Sequence, residues 1–156
     1  MVKLTVSKFV NLPDITLDLT EQLKRSTEII GANIRDNIKR GQNITETGSH
    51  KLNSPKYRAW KLRELGEGRP LVAEEKKLID KKSYTVKKIG MNHVRLSLSN
   101  AKHPGSSASI AEIGSYNNFG TNRIPKREFW GISARAIKQV IGYITDEIAK
   151  KVDGKK

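Results

Sequence analysis

The residues that could carry catalytic chemistry are few and scattered. The chain has three histidines, His50, His93 and His103. None stands at metal-ligand spacing from another histidine or a carboxylate. His50 and His103 fall in loop-like stretches, and His93 lies on the polar phase of a strand beside Val94, so all three read as ordinary surface residues. Glu74-Glu75 and Asp146-Glu147 are adjacent pairs on solvated faces, not carboxylates opposed across a cleft as acid–base catalysis needs. Gly66-Glu67-Gly68 lacks the further glycine and the Lys-Ser/Thr of a phosphate loop. Ser106-Ser107 has no nucleophile context. The chain contains no cysteine, which removes disulfides and thiolate chemistry. The expectation is a non-enzyme with no cofactor, no metal site and no catalytic residue.

Charge says more. The 156 residues carry 30 Lys and Arg against 16 Asp and Glu, a formal net charge of +14. Such a surface attracts polyanions, acidic protein faces or anionic lipid. Basic residues interleave with aromatics at Lys56, Tyr57, Arg58, Trp60, Lys61 and Arg63. Lys56, Arg58, Lys61 and Arg63 are therefore candidate contacts to nucleic acid or to an acidic partner, the alternative being a solvated helix face. Lys and Arg are otherwise spread through nearly every element, and no recognised nucleic-acid-binding motif is present. No apolar run approaches the length of a membrane span, and the N-terminus lacks the apolar core of a signal peptide, so a soluble protein without membrane partners is expected.

The stretch from Tyr116 to Gly131 is the most distinctive. Gly120, between Phe119 and Thr121, suggests a tight turn with positive φ. Pro125 fixes φ and removes a backbone donor, so 123–129 is expected to be an edge strand or an extended loop. Arg123, Lys126 and Arg127 should point to water or to an acidic partner. Phe119-Gly120-Thr121 followed by Ile124-Pro125-Lys126-Arg127-Glu128-Phe129-Trp130-Gly131 resembles the signature of the tail-completion or virion-morphogenesis proteins of tailed bacteriophages. There an aromatic-Gly turn precedes a segment reading roughly Ile-Pro-Ala-Arg-Pro-Phe-Leu-Gly and then a C-terminal helix. Ile124, Pro125, Arg127, Phe129 and Gly131 match. Glu128 stands in place of a second proline, and Trp130 in place of an aliphatic residue. Trp60, Arg69-Pro70-Leu71 and Tyr116 follow the order of similar landmarks in that family.

The remaining elements must position this stretch. Val2, Leu4 and Val6 alternate with polar residues, as in a strand or an extended arm. Asn11 to Asp14 is a turn. Leu19, Leu23, Ile30, Ile34 and Ile38 form one stripe of a helix over about 18–40, capped by Thr16 or Asp18 and ended by Gly41. Gly31 inside it suggests close packing of a neighbour. Residues 41–54 and 100–109 read as long loops. Residues 55–65 and 71–82 read as short helices. Tyr84–Ile89 and Val94–Leu98 alternate around a Gly90–Asn92 turn, a hairpin with one apolar face. Ile137, Val140, Ile141, Ile144 and Ile148 mark a C-terminal helix over about 133–151, capped by Ser133, with Asp146–Lys150 and Glu147–Lys151 spaced for ion pairs. The fold class expected is α+β, a small antiparallel sheet packed by a long N-terminal helix and a C-terminal helix. Residues 1–152 form one domain, and 153–156 a frayed basic tail.

Two functions follow as expectations. The resemblance implies a structural virion protein: a tail-completion, tail-terminator or neck ring subunit joining the phage tail to the head connector. It would be a homo-oligomer, commonly sixfold, meeting the tail tube and connector, with DNA passing its lumen. It would be assembled in the host cytoplasm and retained in the virion. Its interface residues would be Phe119, Gly120, Thr121, Arg123, Ile124, Pro125, Arg127, Phe129 and Trp130. Phe119, Phe129 and Trp130 could equally fill their own subunit's core, and Arg127 could be a solvated charge or a cross-subunit ion pair. The alternative is a basic nucleic-acid-binding module without catalytic activity.

Overall fold

The computed structural model describes residues 18–72, 76–104 and 106–153, with backbone only at 152 and 153. The alternating N-terminal segment, the Asn11–Asp14 turn, the Thr16 cap, the Glu74-Glu75 pair and residues 154–156 lie outside the described residues.

Helical spacing of apolar residues and sound ends produce α1, Thr20–Arg40. The Asp18 carboxylate accepts from the Thr20 N–H at 2.9 Å, satisfying one of the orphan donors of the first turn. Gly41 takes φ +70 and donates its N–H to Ile38 O at 3.1 Å, ending the helix. Ile34 and Ile38 are buried and Ile30 packs against the core, as the stripe predicts. Leu19 and Leu23 are only half-buried, and the first half of α1 instead buries Thr20, Gln22 and Ser26. Ser26 meets its own need locally by donating to Gln22 O at 2.8 Å. A Cβ on Gly31 would lie 3.7 Å from both Leu96 methyls, so the neighbour expected there is the sheet.

That sheet is one antiparallel pair, β1 (Tyr84–Gly90) and β2 (His93–Leu98). Its register sets Tyr84 against Leu98, Val86 against Leu96 and Lys88 against Val94, so the alternating apolar positions share one face. Two strands alone are marginal in water. Here α1 covers the apolar face, and α4 (Ala134–Asp153) packs on α1. The result is a small α+β fold with the long N-terminal helix between the sheet and the C-terminal helix. Asn33 Nδ2 donates to Gln139 at 2.6 Å across the helix pair, and Arg135 reaches Asp36 and Asn37 at 3.0 Å. Within α4, Lys150 pairs with Glu147 at 2.8 Å, three residues back, in place of the expected Asp146 pair. Ser133 Oγ accepts from Ala136 N at 3.1 Å, the cap expected for this helix.

Three stretches depart from expectation. Residues 76–83 form two single 3₁₀ turns, Lys77–Ile79 and Lys81–Ser83, and no α-helix. A helix α3 occupies Ile110–Phe119, where none is expected from apolar spacing. A capping box starts it: Ser109 Oγ accepts from Glu112 N at 3.2 Å while the Glu112 carboxylate accepts from Ser109 N at 2.7 Å. The third is α2, Pro55–Leu65, a helix as expected but rotated. Its apolar residues Tyr57, Trp60 and Leu62 face solvent, while Lys61 is 1% exposed. The core joins Ile34, Ile38, Leu71, Val72, Leu78, Ile110 and Phe129. No helix among the described residues is long and apolar enough to cross a membrane.

Candidate interaction site

The segment 119–131 leaves α3 at Gly120 and returns to the core at Phe129. Gly120 holds φ +80 and ψ 166, a conformation essentially confined to glycine. A Cβ there would sit 2.9 Å from Lys126 N and 3.2 Å from Ile124 O, so the two arms of the loop touch across this residue. Thr121 closes the tip. Its N–H donates to Ile124 O at 2.8 Å, and its Oγ1 accepts from Arg123 N at 3.2 Å and Ile124 N at 3.0 Å.

Beyond the tip the chain forms no strand and joins no sheet. The edge-strand alternative is thereby corrected to a loop. The donors that a ladder would use are taken by α3: Arg127 N donates to Asn117 O at 2.8 Å, while Phe129 N and Trp130 N both donate to Asn118 Oδ1 at 3.1 and 2.9 Å. Buried Asn118 thus replaces a partner strand. On the other side Ile44 N donates to Glu128 O at 2.8 Å, so the 41–54 loop folds back onto the same segment.

Arg127 is the main correction to the sequence reading. It is 4% exposed, neither solvated nor paired with an acid. Its Nε donates to Lys51 O at 2.8 Å, Nη1 to Asn117 Oδ1 at 3.1 Å and Nη2 to Asn53 Oδ1 at 2.8 Å. Burial, with no carboxylate against it, holds the guanidinium below its ordinary range. Phe129 is 0% exposed and fills the core. Trp130 is half-buried, stacked on Tyr84 at 5.9 Å and edge-on to Phe129 at 6.4 Å. Arg35 of α1 lies 5.0 Å over the other aromatic of this stack, Tyr84, whose phenol donates to Leu78 O at 2.7 Å. The motif's second half is therefore anchored to α1 and β1 of its own subunit.

Its first half is open. Phe119 is 71% exposed, and Thr121, Arg123, Pro125 and Lys126 are exposed beside it. Lys126 pairs with Glu128 along the outer edge. Between Phe119 and Trp130 runs an apolar recess of about 180 Å³, floored by Leu98, Gly114 and Phe129. Gly114 lets the Leu98 side chain pack directly on α3: a Cβ there would come 2.3 Å from Leu98 Cδ1.

The basic group on α2 divides in the same way. Lys56, Arg58 and Arg63 are exposed, as a contact surface requires, and Tyr57 and Trp60 stack beside them at 5.4 Å. Lys61 is corrected to an internal residue: it is buried and donates to Arg69 O at 2.5 Å. Burial pushes its amine down, opposed by nearby Glu67. His50, read as a surface residue, is also corrected. It is 4% exposed, and neither ring nitrogen has a hydrogen-bond partner. Burial, aided by neighbouring Arg127, brings its pKa down to about 4. His93 is exposed, and half-buried His103 places Nδ1 2.7 Å from Pro104 O.

Sequence reasoning missed Asn117, Asn118, Asn53 and the Lys51 carbonyl. The adjacent Asn117-Asn118 pair ahead of the Phe-Gly turn was the available signal, since two amides at a helix end can bond a returning chain. No group of three or more His, Asp or Glu among the described residues is placed to hold a metal ion. A scan against protein-family models matches no family, and searches of curated proteins and of solved structures return no match.

Proposed function

We propose that this chain is a structural subunit of a tailed-phage particle, a tail-completion or neck ring component joining tail to head connector. The supporting observation is the division of labour inside the Phe119–Gly131 motif. Arg127 and Phe129 lock one half into the subunit, and the other half presents Phe119, Thr121, Arg123 and Pro125 outward on a loop whose tip is tied by the hydrogen bonds of Thr121. An exposed aromatic held by a stiff backbone loses little entropy when a partner covers it. Self-association has its own support: Ile137 and Ile141 lie one turn apart on α4 and are exposed, with Ile132 exposed just before the helix. An apolar face of this kind suits burial against another copy.

The test is the Phe119→Ala variant, at a site that is 71% exposed and lies outside the cleft that Arg127 lines. The expected result is a folded protein whose particles accumulate as separate heads and tails. Fully joined, infectious particles would overturn the reading.

A second reading is favoured by the rotation of α2. The stacked, exposed Tyr57–Trp60 pair beside Lys56, Arg58 and Arg63 is the combination of aromatic platform and cations used on single strands. A chain with this function would bind a single-stranded oligonucleotide with a steep salt dependence, lost in a Trp60→Ala, Arg63→Ala variant.

A further inference from the structure

A cleft of about 570 Å³ lies where α2, α3, His103, Pro104, Ser106 and the 123–127 segment meet. Its apolar wall includes Leu78, Ile113 and Ile124, and its polar groups include His103, Arg123 and Arg127. Among the described residues lining it there is no Asp or Glu. The Arg127 guanidinium bonds Lys51 O, Asn117 Oδ1 and Asn53 Oδ1, all neutral acceptors. Each guanidinium nitrogen has a neutral oxygen partner, but a buried cation at the wall of a cleft with no counter-ion beside it is electrostatically uncompensated.

We propose that the cleft receives an acidic segment of a partner protein, a carboxylate seated toward Arg127 and Arg123 with a neighbouring apolar side chain against Ile113 and Ile124. The proposal deepens the reading of this chain as an assembly subunit and rests on it in taking the partner to be a protein. Shape favours that partner over a nucleic acid. A duplex presents its phosphates on a convex backbone, to be met by protruding cations such as those of α2, and a single strand needs exposed aromatics for its bases to stack on, which α2 offers and the cleft's aliphatic wall does not. Arg127 is recessed, and the surrounding wall mixes aliphatic carbons with the cations, which suits a side chain entering with its apolar neighbour. The net charge of +14 would steer such a partner toward the surface.

The probe is N-acetyl-leucyl-aspartyl amide, with the asparaginyl amide as its neutral isostere. Each is titrated into the full chain while the side-chain resonances of Arg127, Asn53, Asn117 and His103 are followed by NMR. A ligand of this size in a matched site should bind with Kd of about 1–10 mM, and the neutral isostere at least about tenfold more weakly, the loss expected for one charge-assisted contact. Arg123→Glu, at an exposed position, should weaken the acidic probe by about tenfold or more without altering the isostere. Equal binding of both probes, or no response up to about 50 mM, would overturn the proposal. So would a thymidine oligonucleotide that moves the same resonances at lower concentration than the acidic probe does. Such failures leave the particle-joining result of Phe119 untouched. Conversely, a chain that binds the probe but is absent from particles keeps the cleft and loses the assembly role.

Discussion

Replacing Gly120 by alanine should be the most damaging single methyl addition in the chain's motif. Two penalties combine. At φ +80 and ψ 166 an L side chain is strained, at a cost of about 1–3 kcal/mol. The added Cβ also comes within 2.9 Å of Lys126 N and 3.1 Å of Lys126 Cα, backbone atoms that cannot rotate away. Relief requires the arms of the loop to part, which breaks the 2.8 Å bond from Thr121 N to Ile124 O and strains the bond from Arg127 N to Asn117 O. With each such bond worth about 1 kcal/mol net, the total reaches about 3–5 kcal/mol, a large part of a typical domain's stability. Gly41 supplies the internal control. Its φ is +70, but a Cβ there meets nothing within 4 Å. Gly41→Ala should cost only the left-handed penalty, about 1–2 kcal/mol. Urea denaturation of both variants measures the difference, and amide hydrogen exchange at Arg127 separates loop opening from global loss. Equal midpoints for the two variants, or a Gly120→Ala cost below about 1 kcal/mol, would refute the crossing-arms explanation of the Phe-Gly-Thr turn.

Other outcomes follow from the same packing. Phe129→Ala should cost about 3–5 kcal/mol in urea denaturation, whereas Phe119→Ala should stay within about 0.5 kcal/mol; similar values for the two would contradict their opposite burial. Arg127→Met should lose about 2–4 kcal/mol by stranding the Lys51, Asn53 and Asn117 oxygens, with Arg127→Lys intermediate. Stability unchanged in the Met variant would mean that the guanidinium is not a structural tie. His50 titrates near its ordinary value of 6.5 when unfolded and at about 4 when folded. The unfolded chain therefore binds the extra proton first, and stability present at pH 7 is lost as pH falls from about 6.5 to 4, amounting to about 3 kcal/mol. His50→Phe should flatten that slope in thermal melts, and an unaltered slope would assign it to other groups.

The hairpin and the two long helices were legible because each carries a clear period, alternation across Tyr84–Leu98 and apolar stripes ending at Gly41 or starting after Ser133. Which face is buried was not, since α1 buries its stripe only at Ile34 and Ile38 and α4 leaves Ile137 and Ile141 exposed. The helix at 110–119 was not legible, because its buried positions are Ile110, Gly114 and Asn118, and neither a glycine nor an amide registers as apolar. Its capping box was the stronger signal. Gly120 was legible, since only backbone geometry explains a glycine in that place. The failures at Lys61, His50 and Arg127 share a cause. Polar side chains were assigned outward by type, yet each is buried where neighbouring loops cross it. In Lys61 and Arg127 the buried group is satisfied mainly by backbone and amide oxygens rather than by acids. Pairing of that kind depends on where chain segments meet in space, which local pattern does not encode. Phe129 and Phe119 illustrate the same limit: two aromatics in one motif, one wholly internal and one on the surface.

The claim that this chain joins phage tails to heads is tested most directly by electron cryomicroscopy of the tailed particles it is proposed to build. The account predicts a ring of copies at the head–tail joint, with Phe119 and Arg123 of each copy against a neighbouring subunit and Arg127 enclosed in its own. Particles complete without the chain, or a ring in which the Phe119 edge of every copy faces open solvent, would contradict it.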